Sequence, residues 1–249
     1  MSLLNARFGD TLGGSLRLGI KQIYQGSWNP VAGLSDWYST RMWYAVYDPA
    51  SWRNPYTGDI LPVRNDWIVQ TAGPKGNLNV PPDAQIWDVT SQSWRGIGSG
   101  VTATSKVTYK PKYGTWHHGQ PMGLADIMDS LYFLYEWGTK TGESDRTYDP
   151  EFTSRAEPLL KTIKGVRVIN ADTIEAFVDY WHFDQNYIAD YFTQWSSIPW
   201  EISVASERVV LDKKAAFSRS ASRAQQVEWL SLIIKSNADL IKQALAQFR

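Results

Sequence analysis

Few residues of this chain are spaced for chemistry. His117 and His118 are adjacent, and neighbours on a strand point to opposite faces, so the pair does not converge on a metal by itself. His182 stands alone in Tyr180-Trp181-His182-Phe183-Asp184. There is no His-Glu-x-x-His and no cysteine, which removes the common zinc arrangements, thiol nucleophiles and disulfides together. Glycoside hydrolysis needs two facing carboxylates. Glu136 beside Trp137 and Glu201 beside Trp200 are the nominees, but nothing in the sequence brings them together. A serine nucleophile elbow is missing, and Gly96-Ile97-Gly98-Ser99-Gly100 lacks the lysine of a phosphate-binding loop. The sequence therefore leads to no catalytic residue, no metal and no cofactor, and a binding protein is expected rather than an enzyme.

The chain is rich in rings, with 13 Trp and 13 Tyr in 249 residues. Burying one indole removes about 150–250 Å² from water, worth roughly 4–6 kcal/mol, so most rings are expected in the core. A surplus this large also suggests that some rings line a cleft where flat or apolar ligands stack. Lys+Arg and Asp+Glu both number 25, and no long run of like charge offers a footprint for nucleic acid. No apolar stretch approaches the roughly 20 residues of a membrane span, and no signal peptide is visible. The opening Met1-Ser2-Leu3 reads as an artificial start, so the natural chain is expected to begin earlier.

The elements that must position such a cleft are partly readable. Residues 1–15 read as a linker, and residues 16–20 alternate like a strand. Gly26-Ser27-Trp28-Asn29-Pro30 signals a turn. Residues 37–47 read as a helix closed by Asp48-Pro49. Residues 54–105 are punctuated by Pro and Gly and read as a loop-rich insertion over the surface, with strand-like scraps near 67–69 and 86–89. Residues 106–109 read as a strand. Leu124, Ile127, Met128, Leu131, Leu134 and Tyr135 mark a helix over 124–137, with Gly138 placed to end it. A hairpin is expected from 165–169 and 173–178. Helices are expected over 188–195 and 225–248, the latter carrying Val227, Leu230, Ile234, Ile241, Leu245 and Phe248 as one stripe.

The order of these signals carries a resemblance. Asn29-Pro30 follows the first strand, and an aromatic helix ends in Tyr47-Asp48-Pro49. Thr57-Gly58-Asp59-Ile60-Leu61-Pro62 and Trp67 come next, then Val107-Thr108-Tyr109. Trp116-His117-His118-Gly119-Gln120-Pro121 follows, with a helix opened by Asp126-Ile127 and, last, Ile163-Lys164-Gly165-Val166. Over roughly residues 16–210 this resembles the extracellular solute-binding proteins of family 5, the oligopeptide, metal-chelate and oligosaccharide receptors of ABC importers. His118 stands where that family usually has Asp, and Gly123-Leu124-Ala125 replaces its usual Thr/Ser-Ala opening of the helix, so the chain resembles a divergent, archaeal-type member.

The resemblance implies an α/β fold: one periplasmic-binding-protein-like (type II) lobe over residues 16–249, a mixed sheet flanked by helices, incomplete relative to the two-lobed receptor. It implies an extracellular or periplasmic receptor at the cell surface that passes oligopeptides or oligosaccharides to the permease subunits of an ABC importer. Membrane association would come only through parts absent from this chain. The Trp116–Ile127 block is expected to be an architectural corner, pinned by His117 and the Trp116 indole. Asp36, Trp37 and Tyr38 match the family's cleft-facing loop. By chemistry Trp137 and Trp200, each beside a carboxylate, are added as stacking rings. A glycosidase-like enzyme and a cell-surface structural domain without a small ligand stay open as alternatives.

Overall fold

The structure is a computed structural model that describes residues 26–33, 37–44, 47–193 and 195–248, with the side chains of Trp37, Arg41 and Met42 left aside. The expected linker over 1–15 and strand over 16–20 lie outside the described residues.

A six-stranded sheet forms the frame. Its strands are β3 (Asn65–Thr71), β8 (Ser105–Pro111), β10 (Thr173–Val178), β9 (Ile163–Asn170), β5 (Gln85–Asp88) and β6 (Ser93–Gly96), in that spatial order. Every neighbouring pair is antiparallel, where a mixed sheet was expected. The centre is the predicted hairpin, β9 with β10, whose turn is held by Asn170 Oδ1 accepting the Asp172 N–H at 2.9 Å. Antiparallel pairing follows from such short reversals, whereas parallel neighbours need long crossovers. Alternation sets the faces: Val107 and Tyr109 of β8 point inward, opposite Ala176 and Ile174 of β10. On the outer face Lys106 and Arg167 flank Glu175, with N–O separations of 3.0 and 3.7 Å.

Residues 54–105 are not an overlying insertion. They supply β3, β5 and β6 to the main sheet, and Trp67, Val69, Ile86, Trp87 and Trp94 pack on its core. The same stretch forms β4 (Leu78–Asn79), which pairs with β7 (Thr102–Ala103). Val80, Ala84 and Ala103 close over Phe177 as a separate small core. A short hairpin, β1 (Ser51–Arg53) with β2 (Ile60–Pro62), precedes β3. Short strands broken by Pro and Gly carry too little period-2 signal to be read as a sheet.

The helix expected from 124 runs Leu124–Gly138 and is labelled α2, after α1 (Trp37–Tyr44). It is buried on two sides. Ile127, Leu131 and Tyr135 meet the sheet, while Phe133 and Trp137 enter a second core. That core is built with α5 (Trp200–Leu211), β11 (Ala215–Ala216), Phe217, Leu230 and α7 (Lys235–Leu245). Gly138 is the last residue of α2, and a side chain there would meet Ala156 and Leu160 of α3 (Pro150–Leu160) at 2.7–2.8 Å. Its smallness lets the two helices close together. α3 opens on Asp149, whose carboxylate accepts the N–H groups of Glu151 and Phe152 at 3.0 and 3.1 Å, with Pro150 at the first helical position. α4 is Gln185–Tyr191, starting three residues earlier than the stripe suggested because Asp184 caps it through the Asn186 N–H.

The single helix expected over 225–248 is replaced by three pieces. α6 (Arg219–Gln225) stops at Gln226, which is left-handed at φ 55°. β12 (Glu228–Trp229) then pairs in parallel with β11, and α7 follows. Long-range backbone bonds override the helical spacing: the Leu230 N–H reaches Ala216 O at 2.9 Å and the Leu232 N–H reaches Trp28 O at 2.9 Å. Leu230 is fully buried, whereas Ile234 and Phe248 of the supposed stripe are exposed.

Candidate functional site

The segment between β8 and α2 is the expected strand-to-helix corner, set beside an antiparallel sheet. Backbone groups make its reversal. The Gly119 N–H reaches Trp116 O at 2.8 Å, the Trp116 N–H reaches Gln120 O at 2.8 Å, and the Met122 N–H reaches Gly114 O at 2.9 Å. Gly119 sits at φ +93°, a conformation that suits glycine. His117 and His118 are exposed and the Trp116 ring is half-buried, so the pin is the main chain rather than those side chains. Asp126 finishes the corner: one carboxylate oxygen accepts the Gly123 N–H at 2.9 Å and the other accepts the Trp200 N–H at 3.1 Å. This one carboxylate ties the start of α2 to the start of α5.

Between those tied elements lies a cleft of about 760 Å³, within the range of small-molecule sites. One wall is the corner, residues 114–118 with Met122. The opposite wall is the segment 195–199 with Ile202 of α5. Trp28, Leu232, Trp43 of α1, Tyr47, Asp48 and Arg64 complete it. The aromatic lining is continuous: Trp28 and Trp43 have ring centroids 5.1 Å apart, and Trp43 and Tyr47 are 5.5 Å apart. Trp116 and Trp195 stand on the two walls. The Trp195 indole N–H donates to Asp48 O at 3.0 Å, which fixes the ring. Asp48 is paired with Arg64 Nε at 2.6 Å. Burial, with Tyr44, Asp190 and Asp48 nearby, raises the Tyr47 hydroxyl above its ordinary range, so it stays a donor at neutral pH. Such a surface offers flat apolar faces with a few polar groups between them. Among the described residues that line it, Asp48 is the only carboxylate.

The residues singled out from sequence fall in different places. Asp36 lies outside the described residues. Trp37 opens α1, but its side chain is not described, and Tyr38 is a half-buried residue of the same helix. The ring of α1 that lines the cleft is Trp43. Trp137 is a core ring rather than a stacking platform: it is 1% exposed, between Phe133 and Phe217. Its indole N–H donates to the buried Glu207 carboxyl, toward which the Tyr132 hydroxyl also donates. Burial pushes Glu207 up to about 8, with Asp129 and Glu136 adding repulsion. Trp200 is 41% exposed at the first turn of α5 and is not among the rings lining the cleft.

Glu136 is buried and engaged by Trp87 Nε1 at 2.7 Å, Gln92 Nε2 at 2.8 Å and Thr147 Oγ1 at 3.1 Å, so it knits α2 to the edge of the sheet. His182 stacks on Phe183 and Tyr187 and accepts the Asp184 N–H at 3.1 Å. His117 and His118 occupy a turn rather than a strand, and both line the cleft. Among the described residues no group of three or more His, Cys, Asp or Glu is arranged to hold a metal ion.

Sequence reasoning missed Trp28, Trp43 and Trp195 and read Trp116 as architecture. A signal was present. Trp28 and Trp116 each adjoin turn-forming residues, in Ser27-Trp28-Asn29-Pro30 and Thr115-Trp116-His117, and belong to no amphipathic stripe. A large ring in a turn has no helix or strand face to bury it.

No protein-family model matches this chain, and no curated protein is significantly similar to it.

Proposed function

We propose that the chain is the ligand-holding part of an extracytoplasmic solute-binding receptor that takes oligosaccharides or oligopeptides and delivers them to the permease of an ABC importer. The observation that carries the proposal is the ring-lined cleft beside the strand-to-helix corner. Its five rings favour oligosaccharides over peptides, because the apolar faces of pyranose rings stack on indoles while their rims hydrogen-bond to groups such as His117, His118 and Ser197. A periplasmic-binding-protein-like (type II) lobe is the finer fold reading that accompanies this function. In such a receptor closure over the ligand is a population shift between open and closed forms. The lining favours binding over hydrolysis, since Asp48 is committed to Arg64 and the nominated Glu136 is held elsewhere.

Calorimetric titration of the chain with cello-, manno- and xylo-oligosaccharides and with tri- to pentapeptides tests the proposal. At least one oligosaccharide series binds, and Trp116→Ala and Trp195→Ala each weaken it about tenfold, the loss of roughly 1.4 kcal/mol of stacking. Absence of binding across both panels, or wild-type affinity in both variants, would overturn it.

A further inference from the structure

On the far side of the 195–198 segment lies a second pocket, and we propose that this space of about 270 Å³ between α2, α5 and that segment binds a compact organic ammonium ion through Asp129. The inference does not rest on the receptor reading. Its lining includes the rings of Phe133, Phe152 and Trp195, an apolar surround that suits the carbon part of an organic ammonium ion. Ser130 and Ser203 supply hydroxyls at its edge.

Asp129 is the only charged group lining this pocket among the described residues, and it makes no ion pair with any of them. The charges that act on it are Asp126 and Glu201, and it in turn repels Glu207, so its charged neighbours are all carboxyls. Two of those neighbours, Asp126 and Glu207, differ from it in being served by two donors each. Asp126 accepts two backbone N–H groups, and Glu207 accepts from Trp137 and Tyr132. Asp129 has the Ser203 hydroxyl. A carboxylate in this position gains more from an incoming cation than from a neutral guest, because the cation offsets both the poor solvation and the like charges. Burial already holds Asp129 up at about 6, so at pH 7.5 it is anionic and ready for such a partner. A hard metal ion is a poor fit, since it takes several carboxylate or carbonyl oxygens where the side chains here offer one carboxylate with neutral serine hydroxyls.

The test titrates the chain at pH 7.5 with tert-butylammonium chloride and, separately, with the similarly shaped neutral tert-butanol, following amide shifts of α2 and α5 by NMR. The ammonium ion binds about tenfold or more tightly than the alcohol. Asp129→Asn abolishes this preference while alcohol binding and far-UV circular dichroism remain as in wild type. Should that variant fail to fold, the wild-type protein still decides. Lowering the pH from 7.5 to 5 weakens ammonium binding about tenfold as Asp129 protonates and leaves alcohol binding unchanged. Equal affinity for the two probes, no binding of either, a preference retained in Asp129→Asn, or a pH-independent preference would each overturn the proposal.

Discussion

Trp137→Ala lowers the unfolding free energy by about 3–5 kcal/mol, the upper range for removing a large ring from a packed core. Two losses combine. The first is packing: the indole lies nearly parallel to Phe133, at 17° and 5.6 Å, and edge-on to Phe217 at 4.8 Å. Deleting it opens a void that α2, α5 and β11 cannot all close, because α2 is also held against the sheet by Ile127 and Leu131. The second is polar: the Glu207 carboxyl loses one of its two donors in a dry site, keeping only the Tyr132 hydroxyl. Trp137→Phe separates the two, keeping a ring while removing the N–H, and costs about 1–3 kcal/mol. Urea denaturation followed by circular dichroism measures both. A loss below about 1 kcal/mol for Trp137→Ala would mean that this ring is not a core element.

Stability falls as pH rises from about 4.5 to about 8, and Glu207 is the main cause. Its carboxyl is held at about 8 in the folded chain against an ordinary 4.5. The folded state therefore keeps a proton that the unfolded state has already released, and within that window unfolding is favoured by increasing pH. The contribution is fully present below 4.5 and is lost as pH passes through 8, with a limiting slope of about 1.4 kcal/mol per pH unit. Asp129 acts in the same direction over a lower window, from its ordinary 3.8 to about 6. Glu207→Gln keeps the shape and an acceptor for the Trp137 N–H but cannot ionise. It flattens the profile above pH 6, leaves the Asp129 part below, and is more stable than wild type at pH 8.5. Denaturant midpoints from pH 4 to 9 give the comparison. A wild-type profile that is flat or rising between pH 6 and 8 contradicts the assignment.

Local signals of helix and hairpin were legible. The stripe through Leu124, Ile127 and Leu131, the Asn170 turn and the corner at 116–127 all stand where the sequence placed them. Readings that depended on which partner an apolar residue finds were not. Leu230 fits a helical stripe equally well, but its backbone is claimed by Ala216, and only tertiary contact decides. Trp67 and Trp87 fall in scraps of strand and Trp94 in loop by sequence, because their strands are short and punctuated, yet three strands of the main sheet carry them. The cleft was hardest to foresee. Its rings come from four separate stretches around residues 28, 43–47, 116 and 195, and no spacing rule relates positions so far apart. Trp137 and Trp200 were chosen for adjacent carboxylates, but adjacency in sequence places neighbouring side chains on different faces of a helix. Trp137 accordingly found its acid across the core, in Glu207.

Hydroxyl-radical footprinting of the chain, free and saturated with the tightest-binding oligosaccharide of the panel, addresses the cleft itself. The account predicts lowered oxidation of Trp28, Trp43, Trp116 and Trp195, with no change at the exposed Trp52, Trp181 and Trp200. Protection confined to those three outer rings, or oxidation of the cleft rings unaltered by ligand, would contradict it.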